Sequence, residues 1–308
     1  MGGFLDLKYG PWVEANRKTG AETLARIRAC FGDLMARPLP NINSWLIENW
    51  RKDRLKQGRS PSTVNRDLVA LKATLQKAVD WELIDVHPLA KVKPAKVDNL
   101  GIVRYLSADE ERRLRKALAG RDAEMKAARA RGNVWREERG LDPMPETDVY
   151  GDHMTPMVLL SINTGLRRGE LFNLTWADVD GGLLTVRGEG AKSGKTRHIP
   201  LNTEAADVLR QWKDQTNGTS GLVFVGKTGA RFNNVKKAWA ALLDAAGVTG
   251  FRWHDMRHHF ASRLVQAGVD LNTVRELLGH ADLTMTLRYA HLPSEHEAAA
   301  VALLVAQG

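Results

Sequence analysis

The spacing of apolar residues around position 70 predicts a long amphipathic helix. In the segment SPSTVNRDLVALKATLQKAVDW, apolar side chains recur at intervals of three and four residues, at Val64, Leu68, Leu71, Leu75 and Ala78. This is the periodicity of one helix face turned toward a core. Ser60 is suited to cap the helix with its side-chain oxygen. Pro61 follows at the first helical position, where its missing N–H has no consequence. The first hundred residues are therefore expected to be helical.

The rest of the chain predicts further helices around a small β-hairpin. The runs 183–188 and 197–201 are β-like and flank a glycine-rich turn, which is typical of a hairpin. The apolar segment MVLLSIN, opened by Thr155 and Pro156, predicts a helix before it. Helical patterns follow at residues 203–213, 234–246, 256–267, 272–278 and 283–290. The expected fold class is mainly α with a small antiparallel β-sheet, in two domains.

Shifts in composition divide the chain into two predicted domains. A helical domain at residues 1–97 is joined by a linker at 98–106 to a mixed α/β domain at 107–308. The second domain begins where Ser107 and Glu110 have the spacing of a capping box. We interpret a charged stretch near 120–153 as a partly helical insertion that ends in a loop. The C-terminal tail 293–308 has an apolar face, which packs either on a neighbouring subunit or on its own domain.

The charge balance favours a polyanionic partner. Lys and Arg number 45 against 36 Asp and Glu, a net charge of +9, and most of the excess lies in the first hundred residues. Such an excess is typical of nucleic-acid-binding proteins, although a merely basic protein has the same composition. Four polar side chains lie outside the apolar stripe of the helix that follows Ser60, and they face either DNA or solvent: Arg59, Asn65, Arg66 and Lys72.

Cysteine usage and the lack of long apolar runs predict a cytoplasmic protein. The single cysteine, Cys30, excludes an intrachain disulfide, which suits a reducing compartment. No run approaches the roughly 18 apolar residues that a membrane span requires. The segment MGGFLDLKYG lacks the basic-then-apolar layout of a secretion signal. We therefore expect no membrane partner.

Two motifs resemble nucleotide and metal sites, and their details argue against both. In GEGAKSGKT, Glu189 stands where a phosphate-binding loop requires its first glycine, and the strand-like RHIPL follows where a helix is needed. In HDMRH, His254 and His258 are four residues apart, as in zinc proteases, but Asp255 replaces the glutamate. Arg257 would add positive charge beside the metal ion.

A cationic site with an oxygen nucleophile fits the remaining polar motifs better. These motifs supply Arg167, Lys192, His254, Arg257, His280 and Tyr289. Guanidinium groups can stabilise the negative charge that develops on a phosphodiester under attack, without a metal ion. A tyrosine hydroxyl has a pKa near 10, so it must lose its proton as it attacks, and the leaving sugar hydroxyl needs a proton donor such as a hairpin lysine. Each residue alone has an ordinary structural explanation, but the ordered set is hard to obtain by chance.

The motifs TGLRRGEL, AKSGKTRHIPL, HDMRHHFASRLVQAG and LLGHADLTMTLRYAH together resemble the tyrosine recombinase, or phage integrase, family. The resemblance implies a helical core-binding domain followed by a catalytic domain. It also implies the catalytic residues Arg167, Lys192, His254, Arg257 and His280, with Tyr289 as nucleophile. Glu170 takes the supporting acidic position, and Lys195 is the fallback for the hairpin lysine.

The family resemblance further implies a site-specific DNA recombinase or integrase that acts through a 3′-phosphotyrosyl intermediate on a mobile element or prophage. It implies a tetramer on double-stranded DNA, with no metal, no cofactor and no ATP, in the nucleoid of a bacterial or phage-infected cell. DNA-bending accessory proteins are possible partners. Lys195 and Arg197 are further predicted DNA contacts. A type IB topoisomerase and a non-catalytic DNA-binding relative remain as alternatives.

Overall fold

The chain divides into two compact units. A computed structural model describes residues 1–97, 103–188, 195–226 and 228–292. The first unit is Met1–Gly101 and the second is Ile102–Gly308. None of the helices in the described ranges is long and apolar enough to cross a membrane. The exact limits of the two functional domains stay a prediction.

The first unit is helical, as predicted. It contains α1 (Gly2–Phe4), a π-helical turn (Leu5–Tyr9), α2 (Gly10–Asn16), α3 (Gly20–Cys30), α4 (Ser44–Lys56) and α5 (Pro61–Asp80), with 3₁₀ turns at Gly32–Leu34 and Leu39–Asn41. The Ser60 side chain accepts a hydrogen bond from the Thr63 N–H, and Pro61 is the first residue of α5. All five apolar positions predicted for this helix face are buried. The cap and the core face of α5 are therefore confirmed.

Two of the polar residues of α5 that were predicted to contact DNA form hydrogen bonds with the backbone instead. The Asn65 side-chain amide donates to the Ala95 carbonyl and accepts from the Ala95 N–H, both at 2.8 Å. The Lys72 ammonium donates to the Val92 carbonyl at 2.8 Å. These bonds hold residues 92–95 against α5, a structural role that the sequence pattern did not indicate. Arg59 and Arg66 are exposed, and for them DNA contact stays a prediction.

The second unit places helices around a three-stranded antiparallel sheet. Its helices are α6 (Ala108–Glu137), α7 (Met154–Thr164), α8 (Arg168–Asn173), α9 (Thr203–Thr216), α10 (Lys236–Ala245), α11 (Asp255–Gln266) and α12 (Leu271–Leu278). A 3₁₀ turn (Trp176–Asp178) leads into β1 (Val179–Asp180), which is followed by β2 (Leu183–Val186) and β3 (Arg197–Pro200). Leu184 pairs with Ile199, and both are buried in the main core. The predicted hairpin is confirmed, and Lys192 in its turn lies outside the described residues.

The start of α6 follows the predicted capping box. The Ser107 hydroxyl accepts from the Glu110 N–H, and the Glu110 carboxylate accepts from the Ser107 N–H. The helix continues to Glu137, so it includes the first half of the predicted charged insertion. Within the predicted linker, Val103 and Leu106 are buried in the second unit, and residues 98–102 lie outside the described ranges, as does the predicted tail 293–308.

The last predicted helix, at 283–290, is wrong in type. The structure has two separate 3₁₀ turns there, Leu283–Met285 and Leu287–Tyr289. Thr286 and Tyr289 are three residues apart and both face the interior. A 3₁₀ turn aligns side chains three residues apart more closely than an α-helix does, which suits the inward direction of both Thr286 and Tyr289.

Helices α7 and α12 both end at a glycine in the left-handed region. Gly165 and Gly279 each have φ of 62°. A Cβ on Gly165 would lie 2.5 Å from the Phe260 ring, and one on Gly279 would lie 2.8 Å from the Arg197 side chain. Only glycine combines this backbone angle with this close approach. The two helix ends can therefore bring their terminal carbonyls together in one place.

The Gly165→Ala substitution should reduce the free energy of unfolding by about 3 kcal/mol, measured by denaturant titration. Positive φ alone costs an L-residue about 1–2 kcal/mol, and the clash with Phe260 adds to this. The matched control is Gly181→Ala, because Gly181 has φ of 53° and open space where the Cβ would be. Equal losses in the two variants would contradict the role of the close packing.

Candidate active site

One cleft of about 250 Å³ in the second unit collects the residues that the sequence motifs singled out. Five of the six predicted catalytic side chains line it: Arg167, His254, Arg257, His280 and Tyr289. They come from the start of α8, from α11, from the end of α12 and from the second terminal 3₁₀ turn. The sixth, Lys192, lies outside the described residues.

Helix termini hold Arg257 in place. The Arg257 side chain is buried, and its guanidinium donates to the Gly165 carbonyl at 2.8 Å and to the Leu278 carbonyl. These carbonyls belong to the C-terminal ends of α7 and α12, where the helix dipole is negative. Burial, followed by the charges of Arg167 and Arg197, lowers the pKa of Arg257 to about 9, so the group remains charged at neutral pH.

Glu170 balances part of this positive charge. Its carboxylate accepts from Arg167 Nη1 at 2.8 Å, and from Arg197 Nη1 at 3.1 Å and Nη2 at 2.7 Å. The Arg167 N–H also donates to Glu170, at 2.8 Å, which caps the start of α8. Burial raises the pKa of Glu170, but the hydrogen bonds and charges of Arg197 and Arg167 outweigh it and bring the pKa to about 2. The supporting position predicted for Glu170 is thus a buried carboxylate between two guanidiniums.

Arg197, a predicted DNA contact, has a different position in the structure. Its side chain is 7% exposed and forms an ion pair with Glu170. Its Nε also donates to the Leu277 carbonyl at 2.9 Å, at the end of α12. Arg197 therefore joins β3 to α8 and α12, and all three nitrogens of its guanidinium donate hydrogen bonds inside the protein. Lys195, in contrast, is exposed.

Burial lowers the pKa of both predicted histidines. His280 Nδ1 lies 2.9 Å from the hydroxyl oxygen of Thr286, which is fully buried. Burial, and then the charges of Arg257 and Arg167, lower the pKa of His280 to about 3. His254 lies at the mouth of the cleft, where partial burial and the Arg257 charge lower its pKa. A neutral imidazole has one donor and one acceptor nitrogen, and because the Nδ1 of His280 contacts Thr286, its Nε2 is the nitrogen left for a ligand.

The Tyr289 hydroxyl is directed into the cleft and hydrogen-bonds to His258. Tyr289 is 1% exposed, and its oxygen lies 2.7 Å from His258 Nδ1. Burial raises the pKa of Tyr289 to about 12, although the charges of Arg257 and Arg288 act against this. Burial, and then the neighbouring His254 and Arg288, lower the pKa of His258 to about 4. A protonated phenol thus faces a neutral imidazole.

Sequence reasoning missed three residues of this site: His258, Thr286 and Arg288. His258 had a usable signal, because it follows His254 by four residues and thus shares its helix face. Thr286 had none, since its contact with His280 depends on how the terminal 3₁₀ turns fold back.

Across the part of the chain that the structure describes, no group of three or more His, Cys, Asp or Glu side chains is arranged to hold a metal ion.

Comparison with known proteins places this chain in a family. Residues 147–296 match the model of the phage integrase family. The tyrosine recombinase XerC of Pseudomonas aeruginosa is 30% identical over 276 residues, which span 81% of this chain and 89% of that protein. The chain therefore belongs to the tyrosine recombinase, or phage integrase, family. This membership supports a DNA strand-transferring recombinase as the class of enzyme.

Solved structures share the same fold at low sequence identity. The Tn1549 transposon integrase in complex with a circular intermediate DNA has a TM-score of 0.70 and 20% identity, covering 96% of this chain and 98% of that one. A lambda integrase dimer bound to a COC′ core site has a TM-score of 0.71 and 19% identity, covering 96% of each chain. A lambda integrase tetramer bound to a Holliday junction reaches 0.67 and 19%, over 93% of this chain and 76% of that one. The expected mainly helical, two-domain architecture is confirmed.

The ion pairs of Glu170 should make stability depend on pH. The folded pKa of Glu170 is about 2 and its ordinary value is 4.5, so the ionised pairs stabilise the folded state above about pH 4.5. This contribution is lost as the pH falls toward 2. The Glu170→Gln substitution should therefore reduce the free energy of unfolding by about 3 kcal/mol at pH 7, with a smaller difference from wild type at pH 3.

Denaturant titrations at the two pH values measure the free energy of unfolding of wild type and variant. The difference between the two proteins at each pH removes the contribution of the other titrating groups, because both proteins share them. Glu137→Gln, at an exposed position on α6, is the control and should change stability little at either pH. A loss in Glu170→Gln that is the same at pH 7 and pH 3 would contradict the assignment.

Thr286→Val should weaken catalysis by disorienting His280. Valine keeps the shape of threonine but removes the hydroxyl, so one hydrogen bond to the ring is lost. We expect a decrease of about tenfold in the single-turnover rate of DNA cleavage, equivalent to ~1.4 kcal/mol, with unchanged DNA affinity. Thr284→Val, two residues earlier and exposed, is the control. Equal rates in the two variants would show that Thr286 does not orient His280.

Proposed function

We propose that this chain is a site-specific DNA recombinase in which Tyr289 attacks a scissile phosphate and forms a 3′-phosphotyrosyl link. The observation that supports this most directly is the position of the Tyr289 hydroxyl in the same cleft as Arg167 and Arg257. A phenol in such surroundings is next to the two groups best suited to bind an anionic phosphodiester. The type IB topoisomerase and the non-catalytic relative become outcomes of the test.

The fixed positive charges explain how the phosphate is activated. When the phenolic oxygen attacks, negative charge grows on the two non-bridging oxygens of the phosphate. Arg257 is anchored by two backbone carbonyls and Arg167 by Glu170, so both guanidiniums are in place before DNA arrives. Preorganised donors of this kind stabilise the transition state without further rearrangement. His254 and His280 supply additional ring N–H donors at the same cleft.

The reaction that we propose needs neither ATP nor a metal ion. The guanidiniums carry the charge that a metal ion would otherwise supply, and the phosphotyrosyl bond conserves the energy of the phosphodiester for rejoining. The leaving 5′ oxygen takes a proton from a lysine of the β2–β3 hairpin, assigned to Lys192 with Lys195 as the alternative. Attack by a 5′-hydroxyl from a partner strand then reverses the chemistry and releases Tyr289.

The partner that we propose is double-stranded DNA, with four protomers assembled on two recombination sites. The lambda integrase tetramer on a Holliday junction has the same fold and supports this arrangement by analogy. The net charge of +9 agrees with a polyanionic ligand. The exposed Arg59, Arg66 and Lys195 are the proposed DNA contacts. Accessory DNA-bending proteins and integration or excision of a mobile element are part of the same proposal.

Tyr289→Phe should bind DNA as the wild type does and form no covalent adduct. The measurement uses nicked suicide duplexes that tile the DNA flanking the gene, with adducts resolved by denaturing gel electrophoresis. Wild type should form the adduct equally well in EDTA. An adduct that persists in Tyr289→Phe would show that another residue is the nucleophile, and loss of the wild-type adduct in EDTA would overturn metal independence.

Two-site plasmids complete the test, with Arg167→Ala as a second control that should slow cleavage by on the order of 10²-fold or more. Recombinant products from wild type support the recombinase. Relaxation of any plasmid without recombinants would identify topoisomerase activity instead. Binding without cleavage in every assay would identify the non-catalytic relative.

A further inference from the structure

The Tyr289 hydroxyl has a hydrogen-bond partner that the family motifs did not assign. His258 Nδ1 lies 2.7 Å from the Tyr289 oxygen, a short and direct contact. Within the ranges that the structure describes, His258 is the side chain that hydrogen-bonds this hydroxyl. Of the other two histidines, His280 uses its Nδ1 for Thr286, and His254 stacks edgewise on His258 with ring centroids 5.2 Å apart.

Packing around α11 and Tyr289 holds the two partners of this hydrogen bond in place. His258 belongs to α11, whose neighbouring residues Arg257 and His259 are both buried. On the opposite side, Tyr289 is held in a small core together with Ala261 of the same helix. The centroids of the His258 and Tyr289 rings are 5.8 Å apart and the ring planes are tilted by 52°, while Nδ1 and the phenol oxygen are 2.7 Å apart. A neutral imidazole with a lone pair on Nδ1 can accept a hydrogen bond from the phenol at this distance.

We propose that His258 is a catalytic residue that accepts the Tyr289 proton as the phenolic oxygen attacks the scissile phosphate. This inference depends on the proposed function, since it adds a proton acceptor to that reaction. His258 is half-buried and in contact with the reacting oxygen before any substrate is bound. It is thus within the distance that proton transfer to a general base requires.

The proton balance of the step is complete within the site. The O–H bond of Tyr289 breaks and its proton moves to His258 Nδ1, while the oxygen forms a bond to phosphorus. The bond from phosphorus to the 5′ oxygen breaks, and that oxygen takes a proton from the ammonium of the hairpin lysine. On rejoining, the 5′-hydroxyl attacks and returns its proton to the lysine, and the departing Tyr289 oxygen recovers its proton from His258.

Burial and the charges around His258 keep its ring neutral before DNA binds. Burial, and then His254, Arg288 and Arg257, lower its pKa to about 4, while Asp255 acts in the opposite direction. The ring is therefore neutral at pH 7 and its Nδ1 lone pair can face the phenol. A bound phosphate adds negative charge beside these cations and stabilises the imidazolium that forms. Because the growing bond to phosphorus makes the phenol more acidic, the transfer accompanies the attack.

His258→Asn tests the proposal directly. The asparagine side chain places an oxygen close to the position of Nδ1, so it can hold the hydroxyl but cannot take its proton. We expect the single-turnover rate of adduct formation to fall by about 10²-fold to 10⁴-fold, with DNA affinity and melting temperature close to wild type. His198→Asn, at an exposed position on β3, is the matched control and should keep the wild-type rate.

Two chemical changes separate a proton acceptor from a structural role. A substrate with sulfur in place of the bridging 5′ oxygen needs no proton on its leaving group, so it should rescue Lys192→Ala but not His258→Asn. Replacement of Tyr289 by a more acidic fluorotyrosine should raise the rate of His258→Asn more than that of wild type. A step without a base should also become faster as the pH rises, so the rate of His258→Asn should increase steeply with pH.

Each result has one meaning. Adduct formation by His258→Asn within twofold of wild type overturns the inference while leaving the proposed function intact. A slow His258→Asn that sulfur rescues, or that neither fluorotyrosine nor higher pH accelerates, also overturns it, because His258 then acts elsewhere in the reaction or only holds the ring of Tyr289. The absence of any wild-type adduct would overturn the proposed function itself. If His258→Asn does not fold, His258→Gln is judged by the same measurements.

Discussion

The structure of the second unit depends on holding several guanidinium groups close together and away from bulk water. Like charges repel, and burial makes this repulsion stronger. The protein offsets it with the carbonyl ends of α7 and α12, which receive Arg257 and Arg197, and with the Glu170 carboxylate, which is shared by Arg167 and Arg197. Gly165 and Gly279, which end these two helices in the left-handed region, contribute to this stabilisation because they allow the terminal carbonyls of α7 and α12 to lie close together.

Because the compensating groups lie outside the cleft, the cleft itself is suited to bind an anion. Glu170 does not line the cleft, so the polar side chains that line it are arginines, histidines and Tyr289. The same surroundings keep His258 and His280 neutral and Tyr289 protonated. A phosphodiester would supply the missing negative charge and would make the protonated state of a neighbouring histidine more favourable. The substrate itself thus completes the electrostatics that the reaction requires.

Several polar residues show how burial changes the meaning of a sequence pattern. Asn65 and Lys72 lie off the apolar stripe of α5, yet their side chains bind the backbone of residues 92–95. Arg197 belongs to a strongly basic motif, yet it is a buried partner of Glu170. Each position looks like an exposed cation or amide in the sequence, because polarity alone does not reveal which backbone carbonyl or carboxylate the fold will bring near. The contact of Thr286 with His280 was not predicted for the same reason.

The sequence by itself determined the elements with strong local signals: the apolar face of α5, the Ser60 and Ser107 caps, the β2–β3 hairpin, and the spaced arginine, histidine and tyrosine motifs. These features depend on neighbours within a few positions, so their physical cause is visible along the chain. Only the tertiary structure decided that Glu170 pairs with Arg197, that Thr286 contacts His280, and that His258 bonds the Tyr289 hydroxyl. Those contacts join residues 6 to 31 positions apart, and they exist because buried polar groups must find partners wherever packing places them.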